Sequence, residues 1–261
     1  MFVFTNLSWR FLTVWRRNLV VYRKIWKVNF LVPLLEPAFY IIAFGIGFQG
    51  LIEGLRYAGQ PMAYIKFMAP ALIAISIMYN SFFETTYASF VRMYYQKTFD
   101  GMMATPLSLE EIIFAEIAWS ATKATAAALI MAVVMGLLGF VAFPQGLLLI
   151  PLAFLGGLAF GALGMAFTGF TPSIDMFNLP FFLFITPMFL FSGTFFPIAG
   201  LPVWAQHAAS VLPLYHLVEL TRFCCLGLVE ANPWASLAYL AGFALIFLAI
   251  ALMAMRRRLI K

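Results

Sequence analysis

Residues that could act as a nucleophile and its base lie in the last third of the chain. Ser192, His207 and His216 supply the minimum set for a serine hydrolase, because a histidine can take the hydroxyl proton as the serine attacks. Leu190 stands two residues before Ser192, so the Gly-x-Ser-x-Gly pattern of a nucleophile elbow is absent. An intramembrane hydrolase is therefore one hypothesis. The alternative is that Ser192 hydrogen-bonds backbone groups freed by a break in the helix, and that both histidines lie at the membrane–water interface on the outer side.

A second set of chemically active residues is charged and lies in or near apolar segments, where a charge is costly unless it has a partner. These residues are Glu36, Glu84, Glu116 and Lys123. We predict that they form a polar cluster at the inner mouth of a membrane protein. The alternative, above all for Lys123, is that each side chain only reaches the headgroup layer. The centres of the last three apolar segments carry no charge, which argues against a carrier driven by protons or sodium.

Motifs for nucleotides and metals give little support to a cofactor in this chain. The segment from Gly45 to Gly50 matches Gly-x-Gly-x-x-Gly, but it closes an apolar helix instead of linking a strand to a helix, so we interpret the match as chance. No Gly-x4-Gly-Lys-Ser/Thr segment occurs, so the chain has no phosphate-binding loop. Cys224 and Cys225 are adjacent, and this spacing suits neither a disulfide nor a metal site.

Composition defines the elements that must position these residues. Of the 261 residues, 64% are hydrophobic and 10% are charged, whereas about 25% are charged in a typical soluble domain. The sequence therefore predicts an all-α polytopic membrane protein, with residues 1–261 forming one transmembrane domain. The net charge of +6 comes from basic residues beside apolar segments, which favours contact with the lipid bilayer and not with nucleic acid.

Six apolar segments have the length of about 20 residues that a bilayer crossing needs. They are residues 31–51, 63–83, 119–143, 146–170, 177–196 and 234–255. Six crossings put both ends of the chain on one side. With this arrangement, 13 of the 16 Lys and Arg residues fall on the side of the termini. We therefore predict that both termini are cytosolic.

The segment before the first span is amphipathic. On a helical wheel, residues 5–28 place their Arg and Lys residues on one side. The other side is filled by Phe11, Trp15, Leu19, Tyr22, Ile25 and Trp26. This pattern predicts an interfacial helix whose basic side faces anionic headgroups. In the fourth span, Gly157 and Gly161 form a pair of small residues four apart, which favours close helix packing. The alternative is that glycine is simply common in membrane helices.

The stretch of residues 189–222 is apolar, yet glycine and proline interrupt it every few residues. Irregular backbone at membrane depth must be buried in protein or wetted by water. We therefore predict broken helices over residues 197–233, between spans five and six, dipping back from the outer face. Residues expected to shape an outer gate there are Gly193, Pro197, Pro202, Pro213, Glu219 and Arg222.

A cytosolic loop, residues 89–111, carries local helix signals. Residues 92–103 favour a helix, Thr105 and Pro106 stop it, and Ser108 with Glu111 forms a capping box for the next helix. We expect the side chains of Phe99, Met102 and Met103 to be exposed and to dock into a groove on another protein. The alternative is an ordinary amphipathic connector.

Several segments, in this order and spacing, resemble one family over essentially the whole chain. They are residues 21–26, Glu36 with Pro37, residues 83–90 with Arg92 and Met93, residues 116–123, residues 191–197, and Leu201 with Pro202. They resemble the permease subunits of type-two ABC exporters, and in particular those that export nodulation factors, the lipo-chitooligosaccharides.

This resemblance implies two copies of the chain around a pore in a bacterial inner membrane. It also implies a separate ABC-type ATPase subunit that binds ATP and Mg and rests on a coupling helix in the 92–106 loop. Residues expected to contact the ATPase are Arg92, Gln96, Thr98, Asp100, Met103 and Pro106. The cargo expected is a glycolipid, an oligosaccharide or another amphipathic molecule, with an ATP-independent channel or carrier as the alternative.

A candidate pathway surface lies in span five. Phe181, Phe184, Met188 and Phe191 recur at helical spacing, which would suit contact with sugar or acyl groups. Such a stripe also suits plain packing between helices.

Overall fold

The computed structural model describes residues 8–27, 31, 35, 39–40, 42–43, 55–142 and 144–260. Glu36, the Gly45 to Gly50 pattern and most of the first predicted span lie outside the described residues.

Nine helices and one short hairpin make up the described part of the chain. Helix α1 is Phe11–Lys24, and strands β1 (Arg56–Tyr57) and β2 (Gln60–Pro61) pair antiparallel, with Arg56 opposite Pro61. The helices that follow are α2 (Tyr64–Tyr95), α3 (Thr98–Met103), α4 (Leu109–Leu137), α5 (Gln145–Phe170), α6 (Ile174–Phe191), α7 (Val203–Ser210), α8 (Pro213–Leu226) and α9 (Pro233–Leu259).

Five of these helices, α2, α4, α5, α6 and α9, are long and apolar enough to cross a membrane. They correspond to predicted spans two to six, and the all-α polytopic fold is confirmed. The helices differ in length from the predicted spans: α2 continues past residue 83 to Tyr95, and α4 begins at Leu109, before residue 119. Helices α4 and α6 also end earlier than residues 143 and 196, at Leu137 and Phe191. Charged residues lie near residues 83 and 119 in the sequence, but in the structure Glu84 and Glu116 pair with Arg92, and Glu110 lies near Arg256.

Local sequence explains where several helices begin and end. The predicted capping box is present at α4: Ser108 Oγ accepts a hydrogen bond from Glu111 N, and the Glu111 carboxylate accepts one from Ser108 N. Pro213 and Pro233 stand in the first turns of α8 and α9, where a missing N–H costs nothing. Gly227, with φ +69°, ends α8 in the left-handed conformation.

The end of α2 differs from the predicted helix over residues 92–103. The last part of α2 contains two π-helical stretches, Glu84–Ala88 and Val91–Tyr95. Lys97 then adopts φ +52°, which a regular right-handed helix does not allow, and α3 starts in a new direction. The continuous helix is therefore wrong, and the loop is a helix end, a sharp turn and a short second helix.

Helix α5 packs against α4, α9 and α2 in the middle of the fold. The predicted close packing is present. A Cβ on Gly157 would lie 2.6 Å from the Cα of Ala121, and one on Gly161 would lie 2.3 Å from Ser120 Oγ. Glycine at both positions therefore lets the backbones of α5 and α4 approach closely.

Candidate functional site

Three of the four predicted inner-cluster residues lie together, and Arg92 joins them. Arg92 Nη1 donates to Glu84 Oε1 at 2.9 Å, and its Nη2 donates to Glu116 Oε2 at 2.5 Å. Lys123 Nζ donates to the other oxygen of Glu84, also at 2.9 Å. Glu116 is fully buried and Glu84 nearly so. These cations offset the cost of removing two carboxylates from water. Glu36 lies outside the described residues.

Two neutral residues complete this network, and the sequence analysis missed both. Asn18 of α1 donates through Nδ2 to Glu116 Oε1 at 2.8 Å, and Ser89 Oγ donates to Glu116 Oε2 at 2.5 Å. The sequence did contain a signal for Asn18. On a helical wheel Asn18 falls among the aromatic residues of α1, on the side that has no other amide and no charged side chain. A buried amide in that position needs a hydrogen-bond partner.

Helix α1 is held against α4 by contacts on that aromatic side. Trp15 Nε1 donates to Thr122 Oγ1 at 3.0 Å, and the rings of Tyr22 and Trp119 lie 5.5 Å apart, edge to face. Val14 is buried between the helices. The predicted amphipathic helix is therefore present, but part of its apolar side faces protein instead of lipid.

A cavity of about 810 Å³ lies between α1, α2 and α4. One wall holds the charged side chains of Arg17, Glu84, Arg92 and Lys123. The rest is mostly aromatic and aliphatic, including Tyr22, Tyr79, Phe83, Tyr87, Trp119 and Val91. A cavity of this size, with a few convergent polar groups in an apolar lining, is typical of a site for an amphipathic ligand.

The residues predicted to contact an ATPase have different surroundings. Gln96, Asp100 and Pro106 are exposed, and Thr98 and Met103 are partly buried. Arg92, by contrast, points inward to the two carboxylates, so it belongs to the ionic network. The predicted exposure of Phe99 and Met102 is wrong, because both pack into the protein beside residues of α4. Their apolar side chains fix α3 and leave its polar side outward.

A second buried ion pair lies at the other end of α2, near the hairpin. Arg222 Nη1 donates to Glu219 Oε1 at 3.1 Å, and its Nη2 donates to the carbonyl of Gly193 at 2.6 Å. Tyr57 Oη lies 2.8 Å from Glu219 Oε2, and burial together with that carboxylate raises the pKa of Tyr57 far above its usual value. Tyr57 is therefore protonated and donates. The guanidinium also lies 3.9 Å from the centre of the Phe67 ring.

The six predicted outer-gate residues are only partly brought together. Gly193, Glu219 and Arg222 share this ion-pair cluster, and Gly193 has φ +73°, which favours glycine. The three prolines act at helix starts: Pro197 precedes the 3-10 turn Ile198–Gly200, Pro202 precedes α7, and Pro213 opens α8. Tyr57 is the member that the sequence analysis missed, since it lies far away in the chain.

The four candidate pathway residues of α6 do not form one surface. Phe184 and Phe191 are exposed, Met188 is buried, and Phe181 packs partly against Phe83, with their ring centres 5.6 Å apart. The π-helical stretch Phe181–Ile185 lies within the stripe. Because a π-helix has a different residue spacing from an α-helix, these four residues do not share one side of α6.

The geometry around Ser192 does not support a hydrolase. Ser192 Oγ is buried and has no hydrogen-bond partner among the described residues. Both ring nitrogens of His216 are engaged elsewhere, Nδ1 with Ser236 Oγ at 3.1 Å and Nε2 with the carbonyl of Ser210 at 2.8 Å. No serine and histidine are therefore paired at Ser192 in this part of the chain.

Comparisons with known proteins point to transport. Residues 10–226 match the family described as ABC-2 type transporter. Nodulation protein J of Rhizobium leguminosarum bv. viciae is 37% identical over 256 residues, covering 98% of this chain and 96% of the relative. Nodulation protein J of Rhizobium meliloti (strain 1021) is 36% identical over 254 residues, covering 97% and 95%. The inner membrane transport permease YadH of Escherichia coli (strain K12) is 21% identical over 237 residues, covering 90% of each.

Proposed function

This chain belongs to the ABC-2 type transporter family as the membrane permease subunit of an ABC exporter, and from that premise we propose its cargo, its assembly and its contact with the ATPase. The cargo is a glycolipid, a lipooligosaccharide or a similar amphipathic molecule, moved outward. Two copies of the chain form the pore in a bacterial inner membrane. Energy comes from ATP and Mg bound to a separate ABC ATPase, since this sequence has no phosphate-binding loop.

The observation that carries the proposal is the amphipathic cavity beside a buried ionic network, in a chain that matches the family over most of its length. A sugar-bearing amphiphile has a polar part that can bind the charged wall and an apolar part that can bind the aromatic one. The nodulation protein J relatives support a cargo of the nodulation-factor type.

The coupling surface is proposed to be the exposed side of α3 and the turns around it, with Gln96, Asp100 and Pro106 outward. Thr98 and Met103 contribute at its edge. Two contacts join this region to segments near both ends of the chain. Arg10 Nη1 donates to the carbonyl of Pro106 at 2.9 Å, and Arg256 lies 3.7 Å from Glu110.

The orientation is proposed from the same contacts. They put α1, the end of α9 and α3 at one end of the molecule, and exposed basic residues of α1 and α9 lie there, including Arg16, Arg23 and Arg257. Basic residues beside spans favour the cytosol. Both termini are therefore cytosolic in this proposal, and α7 and α8 lie outside.

A charge-reversal pair tests the ATPase contact. The tagged chain is co-expressed with a candidate ABC ATPase, chosen by its phosphate-binding loop, and purified from membranes. Asp100→Arg should abolish co-purification of the ATPase. Glu230→Arg should leave it unchanged, because Glu230 is an exposed acid in the loop between α8 and α9, beside the β1–β2 hairpin. Equal recovery of the ATPase with both variants would refute the coupling surface. A wild-type chain that transports without any ATPase would favour the channel or carrier instead.

A further inference from the structure

We propose that the cavity between α1, α2 and α4 binds the anionic head group of an amphiphile, with Arg17 and Lys123 as the binding cations. Arg17 and Lys123 come from different helices, and both line the cavity. This inference concerns the charge of the ligand and stands apart from the ATPase contact.

The ionic network leaves these two cations with unused donors. It runs from Arg17 Nη1 to Asn18 Oδ1 at 3.0 Å, then through Glu116, Arg92 and Glu84 to Lys123. Among the described residues, the Arg17 side chain makes that single hydrogen bond, and Lys123 Nζ makes one, to Glu84 Oε2. A guanidinium has five N–H donors and an ammonium has three, so most of these donors remain available.

The charge balance of the network favours an anion. Within the described part of the chain, its charged members are three cations, Arg17, Arg92 and Lys123, and two carboxylates, Glu84 and Glu116. Arg92 is saturated by both carboxylates, and Glu116 is fully buried behind it. The excess positive charge therefore lies at the two ends of the network, at the cavity surface. A phosphate, sulfate or carboxylate group would receive charge-assisted hydrogen bonds there.

The remaining lining indicates an amphiphile and not a free ion. Apolar surface next to the charged wall comes from Val21 of α1, from Ile25 just after that helix, and from Phe83 and Tyr87 of α2. Basic residues of α1 mark the headgroup layer, so an acidic head group bound at Arg17 would place its acyl chains along these residues.

Binding of defined lipids tests this site. Purified full-length chain is titrated with phosphatidylglycerol, glucuronosyl diacylglycerol and the neutral lipids phosphatidylcholine and glucosyl diacylglycerol, and binding is followed by native mass spectrometry. Both acidic lipids should bind at least about tenfold more tightly than the neutral ones, as one or two charge-assisted bonds allow. Preference for phosphatidylglycerol alone would indicate a phospholipid as occupant, and preference for the acidic glycolipid alone would indicate an amphiphile with an acidic sugar head group. Equal binding of acidic and neutral lipids overturns the proposal.

Neighbouring arginines provide a matched control. Arg17→Gln should weaken binding of the acidic lipids about tenfold and leave the neutral ones unchanged. Arg16→Gln removes the same charge from an exposed position outside the cavity lining and should have little effect. Arg17→Lys should restore part of the affinity. Equal losses for the Arg16 and Arg17 variants would show only general attraction to a basic helix and would refute the site.

Folding and ATPase contact are checked in the same samples. Arg17 is only partly buried, so Arg17→Gln should unfold within a few degrees of wild type without added lipid. It should also retain the ATPase in the co-purification described for Asp100. A loss of acidic-lipid binding with normal ATPase recovery therefore supports the site even if the proposed cargo is wrong.

Discussion

Replacing Glu116 by Gln removes one negative charge and almost no volume from the ionic network. Four donors now point at this carboxylate: Asn18 Nδ2, Ser89 Oγ, and Nε and Nη2 of Arg92. A glutamine offers one accepting oxygen and an amide that donates, so at least one of these donors would face another donor. Arg92 would keep only Glu84 as a charged partner.

The size of the effect follows from burial. Breaking a buried ion pair by removing one partner costs about 3–5 kcal/mol, because the other charge is left without compensation. Glu116 is fully buried, but the Arg92 side chain is 16% exposed, so water relieves part of the cost. We expect about 3 kcal/mol, which for a chain of this length lowers the unfolding temperature by roughly 6–12 °C.

The assay is thermal unfolding of purified protein in detergent. The matched control is Glu110→Gln on the same helix, because Glu110 has one loose partner, Arg256, at 3.7 Å and 42% exposed. That change should cost less than about 1 kcal/mol. Adding Arg92→Gln to Glu116→Gln removes the unbalanced cation, so the double variant should lose less than the sum of the two. If Glu116→Gln unfolds at the same temperature as Glu110→Gln, the argument from buried charge is wrong.

Three further predictions use the same unfolding assay. Gly157→Ala should destabilise by about 1–3 kcal/mol, because its Cβ would meet the Ala121 backbone, whereas Gly242→Ala, with nothing within 4 Å, should not; equal effects would argue against close packing of α4 and α5. Tyr57→Phe should destabilise the protein by about 1–3 kcal/mol, because it removes the hydrogen-bond donor to buried Glu219. Tyr94→Phe, at an exposed ring, should cost less than about 0.5 kcal/mol. If Tyr57→Phe has no effect on stability, the hydrogen bond to Glu219 does not stabilise the fold. Burial lowers the pKa of His216, against the opposing effects of the Ser210 carbonyl and Glu219, so the neutral form is the stable one in the fold. The stability contributed by neutral His216 is present above about pH 6.5 and is lost as the pH falls further. The unfolding temperature of His216→Gln should therefore depend less on pH between about pH 7 and 5 than that of wild type. An unchanged dependence would show that protonation of His216 does not limit stability.

The sequence predicted the helical membrane fold because its signals there are local. Apolar length marked spans two to six, and Ser108 with Glu111 marked the start of α4. Hydropathy did not predict that α2 and α4 extend beyond residues 83 and 119, because it treats a charge as the end of a span. Pairing between Glu84, Arg92 and Glu116 depends on two helices packing together, which hydropathy along one helix does not measure.

The same limit applies to the sites. Glu84, Glu116 and Lys123 were identified one by one as costly charges, but Asn18 and Tyr57 join their clusters through contacts between distant segments. The left-handed Lys97 was also missed, because a lysine in that conformation has no clear sequence signal. Phe99 and Met102 were predicted to dock into another protein. The sequence of a loop does not show whether its apolar residues contact a partner or pack into the core of their own protein.

The shared carboxylate of Glu116 has a mechanical consequence for α1. Asn18 and Arg92 both donate hydrogen bonds to this side chain, which holds α1 in a fixed position relative to α2 and α4. A displacement of α1 would therefore disturb Arg92, which lies shortly before the left-handed turn at Lys97. The position of α1 is in this way coupled to the direction in which α3 leaves α2.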